Sequence, residues 1–277
     1  MYQPFERSRS CSCNVIVFGD TGAGKTSVIK MLSDEVEVSA KASSAGGSTF
    51  ESKAYDVDIN DCPYVFHDTV GLEDGTSISM SPKDALNALY QLMLNVEGGI
   101  NLLVYVHRGK IKPSQVENYR LFSRILCQSK VPTALVVTGL EEVDSMDEWW
   151  QANKALYDEQ EISTEHYACI TSTKGKFNSK HKEYVYQDQY EESQTILKAL
   201  FLKASLLNPW KIQNTPNRWK SLVVEIYNIF AVKFKWKHLV ANESLYRDLL
   251  EIGVTEDQAK DWVNSMNRIL PDRTARP

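Results

Sequence analysis

The sequence predicts an α/β fold in which a mostly parallel β-sheet carries helices on both faces, followed by an all-helical C-terminal appendage. Two observations support this prediction. From Asn14 onward, short apolar runs alternate with helical stretches, which is the pattern of a parallel sheet wrapped by helices. After Pro209 the alternation stops and only helical periodicity continues. We therefore expect a flexible tail over 1–12, an α/β domain over 13–207 and the appendage over 208–277.

The strands are predicted from short apolar runs that are bounded by turn residues. In chain order, those runs are NVIVF, YDVDI, YVFHD, INLLVYVH, VPTALVVTG and HYACITS. Between them, helical periodicity predicts a helix that opens at Lys25 and further helices over 81–96, 114–128, 147–158 and 191–206. The polar stretches 44–49 and 174–189 are predicted to be loops.

The appendage is predicted from two apolar stripes at helical spacing. The first consists of Trp219, Leu222, Val223, Ile226, Phe230 and Phe234. The second consists of Ala259, Trp262, Val263, Met266 and Leu270, and it follows a capping box formed by Thr255 and Gln258. In the segment FAVKFKWKH the lysines alternate with apolar residues instead of gathering on one helical face, so membrane contact is not favoured.

Composition narrows the classes of function. The chain has 277 residues, of which 43% are hydrophobic and 24% charged, as in an ordinary globular protein. Its net charge of -5 argues against a nucleic-acid-binding surface, which is usually basic. We find no apolar run that could span a bilayer, expect no signal core at the N-terminus, and see no zinc-site spacing among the five cysteines. These features predict a cytoplasmic protein that does not bind nucleic acid.

A glycine-rich loop follows the first strand and fits the pattern G-x-x-x-x-G-K-[ST] in full. Its residues are Gly19, Asp20, Thr21, Gly22, Ala23, Gly24, Lys25 and Thr26, followed by Ser27. Glycines allow backbone N–H groups to turn toward phosphate oxygens, and the helix that begins here adds its positive end. Lys25 supplies charge to the terminal phosphates, and the Thr26 hydroxyl is placed to ligate Mg²⁺. The loop therefore predicts a P-loop fold that binds a nucleoside triphosphate with Mg²⁺.

Two further segments are expected to complete the triphosphate site. Asp68 ends the strand YVFHD, where P-loop proteins place a carboxylate in the Mg²⁺ shell, and the amide of Gly71 is expected to bind the γ-phosphate. In the loop before YDVDI, Thr49 is predicted to complete the Mg²⁺ shell when the γ-phosphate is present, with Ser48 as the alternative. The predicted catalytic residues are therefore Lys25, Thr49 and Gly71.

The base is predicted to be guanine. Thr138 and Glu141 stand after the strand VPTALVV, where guanine-binding proteins commonly carry [NT]-K-x-D, and the Glu141 carboxylate can accept from guanine N1 and N2. Gly139 cannot supply the lysine stem that usually covers the base. The polar exit of the final strand is predicted to contact the guanine carbonyl oxygen through its backbone, and it consists of Ser172, Thr173 and Lys174.

The segments VIVFGDTGAGKTSVIKML, GGSTF, HDTVGLED, VVTGLEE and ACITSTKGK resemble the septin-related GTPases of the avirulence-induced and immunity-associated class. The motif TGLE followed by MDEWW is similar to the G-domain proteins of basidiomycete fungi. The resemblance spans Cys13 to Leu206. It implies a GTPase-type G domain that binds GTP or GDP, often dimerises across its nucleotide face and acts as a switch or scaffold. Gly139 departs from the Lys or Arg of the family, and the C-terminal helices lie outside the resemblance.

Turnover is expected to be slow in the monomer. Many switch GTPases orient the attacking water with a glutamine after the D-x-x-G glycine, where this chain has Leu72. We therefore predict a switch or scaffold that slowly hydrolyses GTP to GDP and phosphate, with a homodimer across the nucleotide face and an effector protein as candidate partners. Two alternatives stay open: a P-loop ATPase or kinase, and a nucleotide-bound interaction module without useful turnover.

Overall fold

The computed structural model describes residues 12–33, 41–42, 53–69, 98–111, 115–162 and 165–211, with isolated positions at 89, 92 and 96 and between 246 and 264. The chain divides into two compact units. The first comprises Met1–Asp74 and Val96–Lys211, and the second comprises Gly75–Asn95 and Ile212–Pro277. The sequence-based boundaries of the tail, the α/β domain and the appendage stay a prediction.

A mixed β-sheet organises the first unit. Its strands are β1 (Cys13–Phe18), β2 (Lys41–Ala42), β3 (Lys53–Ile59), β4 (Cys62–Asp68), β5 (Leu102–Arg108), β6 (Thr133–Thr138) and β7 (His166–Cys169). They lie in the order β2-β3-β4-β1-β5-β6-β7. The strands β4, β1, β5, β6 and β7 pair in parallel, whereas β3 is antiparallel to β4 and β2 is antiparallel to β3. The prediction of a mostly parallel sheet is confirmed.

Helices follow the strands as the sequence predicts. They are α1 (Lys25–Leu32), α2 (Val116–Tyr119), α3 (Met146–Glu159) and α4 (Gln187–Ala204). The helix α2 continues into a π-helical segment (Arg120–Leu126), so the helix predicted over 114–128 combines two hydrogen-bond periods. The Ser145 hydroxyl accepts a hydrogen bond from the Glu148 N–H at 3.2 Å and thereby caps α3.

The stretch 174–189 differs from the predicted loop. A two-stranded hairpin of β8 (Phe177–Asn178) and β9 (Glu183–Tyr184) occupies part of it, and α4 begins at Gln187 rather than at 191. The hairpin strands are only two residues long and their side chains are exposed. They therefore carry no apolar alternation from which a strand could have been predicted.

The core covers both faces of the sheet, because successive side chains of a strand point to opposite faces. On one face, Val15 of β1 packs in a cluster with Val28 of α1 and Phe201 of α4. On the other face, Phe18 stacks on Phe122 of the π-helical segment with ring centres 4.5 Å apart. All five side chains are fully buried. The prediction of helices on both faces is confirmed.

The second unit is described only at scattered positions. Leu89 and Leu92, within the helix predicted over 81–96, have helical backbone and are buried. The Ala259 N–H donates to the Thr255 carbonyl at 2.8 Å, as expected for a helix that begins after the predicted capping box. The apolar stripe over 219–234 lies outside the described residues. Within the part of the chain that the structure describes, no helix is long and apolar enough to cross a bilayer.

Candidate functional site

A cavity of about 750 Å³ lies where the parallel strands of the sheet end. Its lining residues are Thr21, Gly22, Gly24, Lys25, Thr26, Ser27, Arg108, Gly139, Glu141, Glu142, Val143, Ser172, Thr173 and Tyr186. Its size is in the range of ligand pockets, roughly 300–1,000 Å³. The cavity therefore brings together three groups of residues that the sequence predicted separately: the glycine-rich loop, the segment after β6 and the exit of β7.

The phosphate loop, defined here as residues 19–27, wraps around its own lysine. The Lys25 ammonium donates to the carbonyls of Gly19 at 2.6 Å and Asp20 at 3.0 Å, and only 8% of the residue is exposed. The helix α1 begins at Lys25 with Gly24 as its N-cap, and among the residues that the structure describes no side chain caps its first turn. Because first-turn N–H groups lack partners within a helix, this end of α1 is suited to an anion.

Gly19 connects β1 to the phosphate loop at a point where no larger residue fits. Its φ is +143°, and a Cβ at this position would lie 1.8 Å from the carbonyl oxygen of Val106. That oxygen belongs to the backbone of the central strand β5 and cannot move aside. The close approach of the loop to the neighbouring strand therefore requires glycine.

Asp20 is anchored from outside the phosphate loop. Its carboxylate accepts hydrogen bonds from the side-chain amides of Gln115 at 2.6 Å and Asn118 at 2.9 Å. The Gln115 carbonyl in turn accepts from the Tyr105 hydroxyl at 2.9 Å. The Asp20 side chain thus positions the loop, and only its backbone is left for a nucleotide. No motif predicts this anchor, because Gln115 lies 95 residues further along the chain.

A polar pair stands beside the phosphate loop at the end of β4. The Thr26 hydroxyl donates to one carboxylate oxygen of Asp68 at 2.7 Å. Asp68 is fully buried, and its Oδ1 has no hydrogen-bond partner among the residues that the structure describes. Burial raises the pKa of this carboxyl, against the lowering effects of the Thr26 hydrogen bond and the charges of Lys25 and Lys53. A buried carboxylate with a spare oxygen is suited to a cation.

Several residues predicted to act near the γ-phosphate lie outside the described residues. They are Thr49, its alternative Ser48, Gly71 and Leu72. Their roles stay predictions. The described part of the predicted triphosphate site consists of the phosphate loop and Asp68.

The base end of the cavity is defined here as Arg108, Gly139, Glu141, Glu142, Val143, Ser172, Thr173 and Tyr186. Thr138 fixes it to the phosphate loop, because its hydroxyl donates to the Ala23 carbonyl at 2.6 Å. Thr138 is fully buried behind the lining, whereas Glu141 is partly exposed within it. In this geometry Thr138 joins the base end to the phosphate loop, and its predicted contact with the nucleotide stays a prediction. Glu141 lines the cavity.

The three residues predicted at the exit of β7 are placed differently from one another. Ser172 and Thr173 line the cavity. Lys174 lies outside the lining, where its ammonium is 5.9 Å from the ring centre of Tyr184 and 5.3 Å from that of Tyr190. The two hydroxyl residues therefore face the cavity, and the lysine side chain lies over aromatic rings beside it.

Two side chains that line the base end were not predicted to lie there, Arg108 and Tyr186. Each packs over a glycine with positive φ. A Cβ on Gly139 would lie 2.6 Å from Arg108 Cγ, and a Cβ on Gly175 would lie 2.6 Å from Tyr186 Cδ2. Neither residue belongs to a motif. Arg108 could have been predicted at the base end from its position at the end of β5, because β5 pairs with β6, the strand that leads to Gly139.

A buried histidine lies next to the phosphate loop without adding charge to it. His107 of β5 is fully buried, and its Nε2 forms a hydrogen bond with the Tyr157 hydroxyl. Burial lowers the pKa of His107 to about 4, against the raising effect of the Asp20 charge. The imidazole is therefore neutral near pH 7, and Lys25 supplies the positive charge of the phosphate loop.

Comparison with known protein families gives a match to part of the chain. Residues 14–138 match the family model described as 50S ribosome-binding GTPase. The match includes the phosphate loop, Asp68 and Thr138, and it spans slightly less than half of the 277 residues. The matched region has the fold of a P-loop GTPase G domain. The predicted fold class, a P-loop GTPase-type domain with a mostly parallel sheet, is confirmed.

Solved structures are similar to this chain at low identity. The cytosolic domain of the T. maritima FeoB iron transporter in its GMPPNP form is 15% identical, with 93% of this chain and 98% of that chain covered and a TM-score of 0.44. The cytosolic domain of L. pneumophila FeoB is 14% identical, with 92% and 89% covered and a TM-score of 0.42. A variant of Aquifex aeolicus Era bound to GDP·AlF4⁻ is 14% identical, with 67% and 56% covered and a TM-score of 0.41.

Among curated proteins, none matches the chain. None of the similarities found names a septin-related or fungal avirulence-induced protein. The resemblance to that class therefore stays a prediction, while the family match supports the P-loop GTPase-type fold.

Proposed function

We propose that this protein is a guanine-nucleotide-binding switch or scaffold that hydrolyses GTP slowly in the presence of Mg²⁺. One observation carries the proposal: a single cavity is lined by Lys25 and Thr26 at one end and by Glu141 and Ser172 at the other. The first pair suits the phosphates of a nucleotide and the second pair suits its base.

The phosphates are held by the loop that now surrounds the lysine. On binding, the Lys25 ammonium exchanges the carbonyls of Gly19 and Asp20 for phosphate oxygens. Hydrogen bonds to a charged partner contribute about 1.5–3 kcal/mol each. The uncapped start of α1 adds backbone N–H groups and the positive end of its dipole.

The residues present fit a magnesium ion. Thr26 and Asp68 would hold it, with Thr49 completing the shell while the γ-phosphate is bound. The Oδ1 of Asp68 supports this role, because it is buried and finds no partner among the described residues. A bound Mg²⁺ neutralises charge on the β- and γ-phosphates.

Guanine selectivity is assigned to Glu141. Its carboxylate accepts from N1–H and the N2 amino group of guanine, whereas adenine offers no matching pair of donors. A polar group left unpaired in a closed site weakens binding of the wrong base. The backbone of Ser172, Thr173 and Lys174 is assigned to the guanine carbonyl oxygen.

Hydrolysis is assigned a slow rate in the monomer. Leu72 stands where a glutamine would orient the attacking water, and residues 19–27 include no arginine to stabilise the transferred phosphoryl group. The chain's own contributions are then the Lys25 charge, Thr49 and the Gly71 amide. A second copy docked across the nucleotide face would supply the missing group.

A single-turnover assay at increasing protein concentration tests this account. We expect GTP cleavage that requires Mg²⁺ and a rate per subunit that rises with protein concentration. The Leu72→Gln variant should hydrolyse faster at low concentration, with Leu72→Ala as the matched control that removes bulk without adding a hydrogen-bonding group. Fast hydrolysis that does not depend on concentration would contradict the proposal.

The same assay separates the two alternatives. Cleavage of ATP at the rate of GTP would favour a P-loop ATPase or kinase. Binding of GTP with no turnover at any protein concentration would favour a nucleotide-bound interaction module.

A further inference from the structure

The base end has glycine at the position where many guanine-binding proteins have the lysine whose stem covers the base. The structure fills that position from the neighbouring strand. A Cβ on Gly139 would lie 2.6 Å from Cγ and 2.9 Å from Nε of Arg108. The Arg108 side chain therefore occupies the volume in which a side chain at position 139 would begin.

The pairing of β5 with β6 fixes the position of Arg108 beside Gly139. Arg108, the last residue of β5, pairs in register with Thr138, the last residue of β6. The Gly109 N–H donates to the Thr138 carbonyl at 2.9 Å, which holds the two strand ends together. Gly139 follows with a φ of +76°, a conformation that L side chains rarely adopt. The residue after β6 is thus small for a reason that the structure shows: it leaves room for Arg108.

We propose that Arg108 lies over the face of the bound base and takes the place of the lysine stem that position 139 lacks. Arg108, Gly139 and Glu141 line the same end of the cavity. A guanidinium is planar, stays charged and stacks on aromatic faces, so it can cover a purine more completely than an alkyl stem. This inference rests on the proposed binding of a guanine nucleotide.

Stacking on the face of the base contributes to affinity, whereas hydrogen bonding to its edge contributes to the preference for one base. Every base presents a π-face, so a stacked arginine strengthens binding of any purine nucleotide. Glu141 accepts hydrogen bonds from the guanine edge and determines the preference for guanine over adenine. Arg108 therefore sets affinity for the base, and it leaves the ratio between GDP and ADP nearly unchanged.

Binding of GDP, ADP and inorganic tripolyphosphate to Arg108→Ala tests the assignment. We expect GDP and ADP to bind about three- to thirty-fold more weakly and tripolyphosphate to bind as in the unmodified protein. The matched control is Lys110→Ala, an exposed basic residue outside the cavity lining, which should change none of the three. Because Arg108 is exposed, its removal should leave the thermal unfolding midpoint unchanged.

Two results would overturn the assignment. Equal weakening of GDP and tripolyphosphate would make Arg108 a phosphate contact, and wild-type affinity for all three ligands would make it a solvent-facing side chain. Either result would leave the proposed function standing if Lys25→Ala still loses GDP affinity. Wild-type GDP affinity in folded Lys25→Ala would instead overturn the proposed function itself.

A double-mutant cycle tests the contact between the two residues. Gly139→Ala should displace Arg108 and weaken GDP binding severalfold, and the same change should cost much less in the Arg108→Ala background. Equal losses in both backgrounds would contradict the placement of Arg108 over Gly139.

Discussion

The phosphate end and the base end of the cavity differ in the number of chain segments that form them. The phosphate end is lined by residues of one continuous stretch, 21–27, whose Lys25 is buried, and the buried Asp68 accepts a hydrogen bond from Thr26 outside the lining. The base end gathers side chains from separate segments, and Arg108 among them is exposed. Local sequence therefore determines the first end, whereas the second depends on which strands the sheet places side by side.

The two ends also differ in what surrounds their glycines. Gly19 approaches the backbone of β5, an interior strand that pairs with β1 and β6. Gly139 approaches the side chain of Arg108, which can change rotamer. We infer that the phosphate end tolerates little change, while the base end can readjust around a substitution.

Alanine at each of the two glycines should show the largest difference. Gly19→Ala places a methyl group 1.8 Å from the Val106 carbonyl oxygen. We expect it to lower the free energy of unfolding by about 3 kcal/mol or more, or to prevent folding. Gly139→Ala should lower it by about 1–2 kcal/mol, since Arg108 can move and only the positive φ is strained. Urea unfolding of the nucleotide-free proteins measures both, and equal losses would contradict the inferred difference in rigidity.

Removal of the lysine charge should have the next largest effect. Lys25→Ala loses a charge-assisted phosphate contact worth about 1.5–3 kcal/mol, so GTP should bind roughly ten- to a hundred-fold more weakly. Lys30→Ala, an exposed lysine in the last turn of the same helix, is the matched control and should bind normally. Titration with a fluorescent GTP analogue measures both. Unchanged affinity in a folded Lys25→Ala protein would show that the loop does not hold the triphosphate.

The smallest change in GTP affinity is expected from a substitution at the base end. Glu141→Ala should weaken GTP binding by about tenfold, because two guanine donors lose their acceptor, and should leave ATP binding nearly unchanged. Glu142→Ala is the matched control, since Glu142 lines the same cavity but is more exposed. A selective loss of GTP at Glu142 or Asp144 instead would place the base contact at a different residue after β6.

The strands and the helices around them follow from short-range patterns. Apolar runs predicted the parallel strands because burial on both faces of a sheet requires them. Alternation in YDVDI predicted β3, which lies between the edge strand β2 and β4. The π-helical segment and the β8–β9 hairpin were not predicted. The periodicity of Arg120–Leu126 is still helical, and the hairpin buries no apolar face that would leave a pattern.

The residues of the candidate site also divide into those that local sequence predicts and those that only the tertiary structure brings together. Lys25, Thr26 and Asp68 could be predicted as site candidates because each occupies a fixed place relative to a strand end. The positions of Arg108 and Tyr186 at the base end were not predicted, because these residues reach the cavity through the pairing of β5 with β6 and through the chain that leaves the β8–β9 hairpin. Gln115 and Asn118 act on Asp20 across 95 and 98 residues of sequence, a distance at which no motif operates.

Competition between GTP and ATP for the unmodified protein tests the central claim most directly, because it requires both ends of the cavity to act on one ligand. The protein is first loaded with a fluorescent guanosine diphosphate in the presence of Mg²⁺, and each triphosphate is then titrated. The account predicts that GTP displaces the probe at concentrations at least about tenfold lower than ATP. Displacement by both nucleotides at the same concentration would contradict a guanine-selective base end and support a P-loop ATPase or kinase instead.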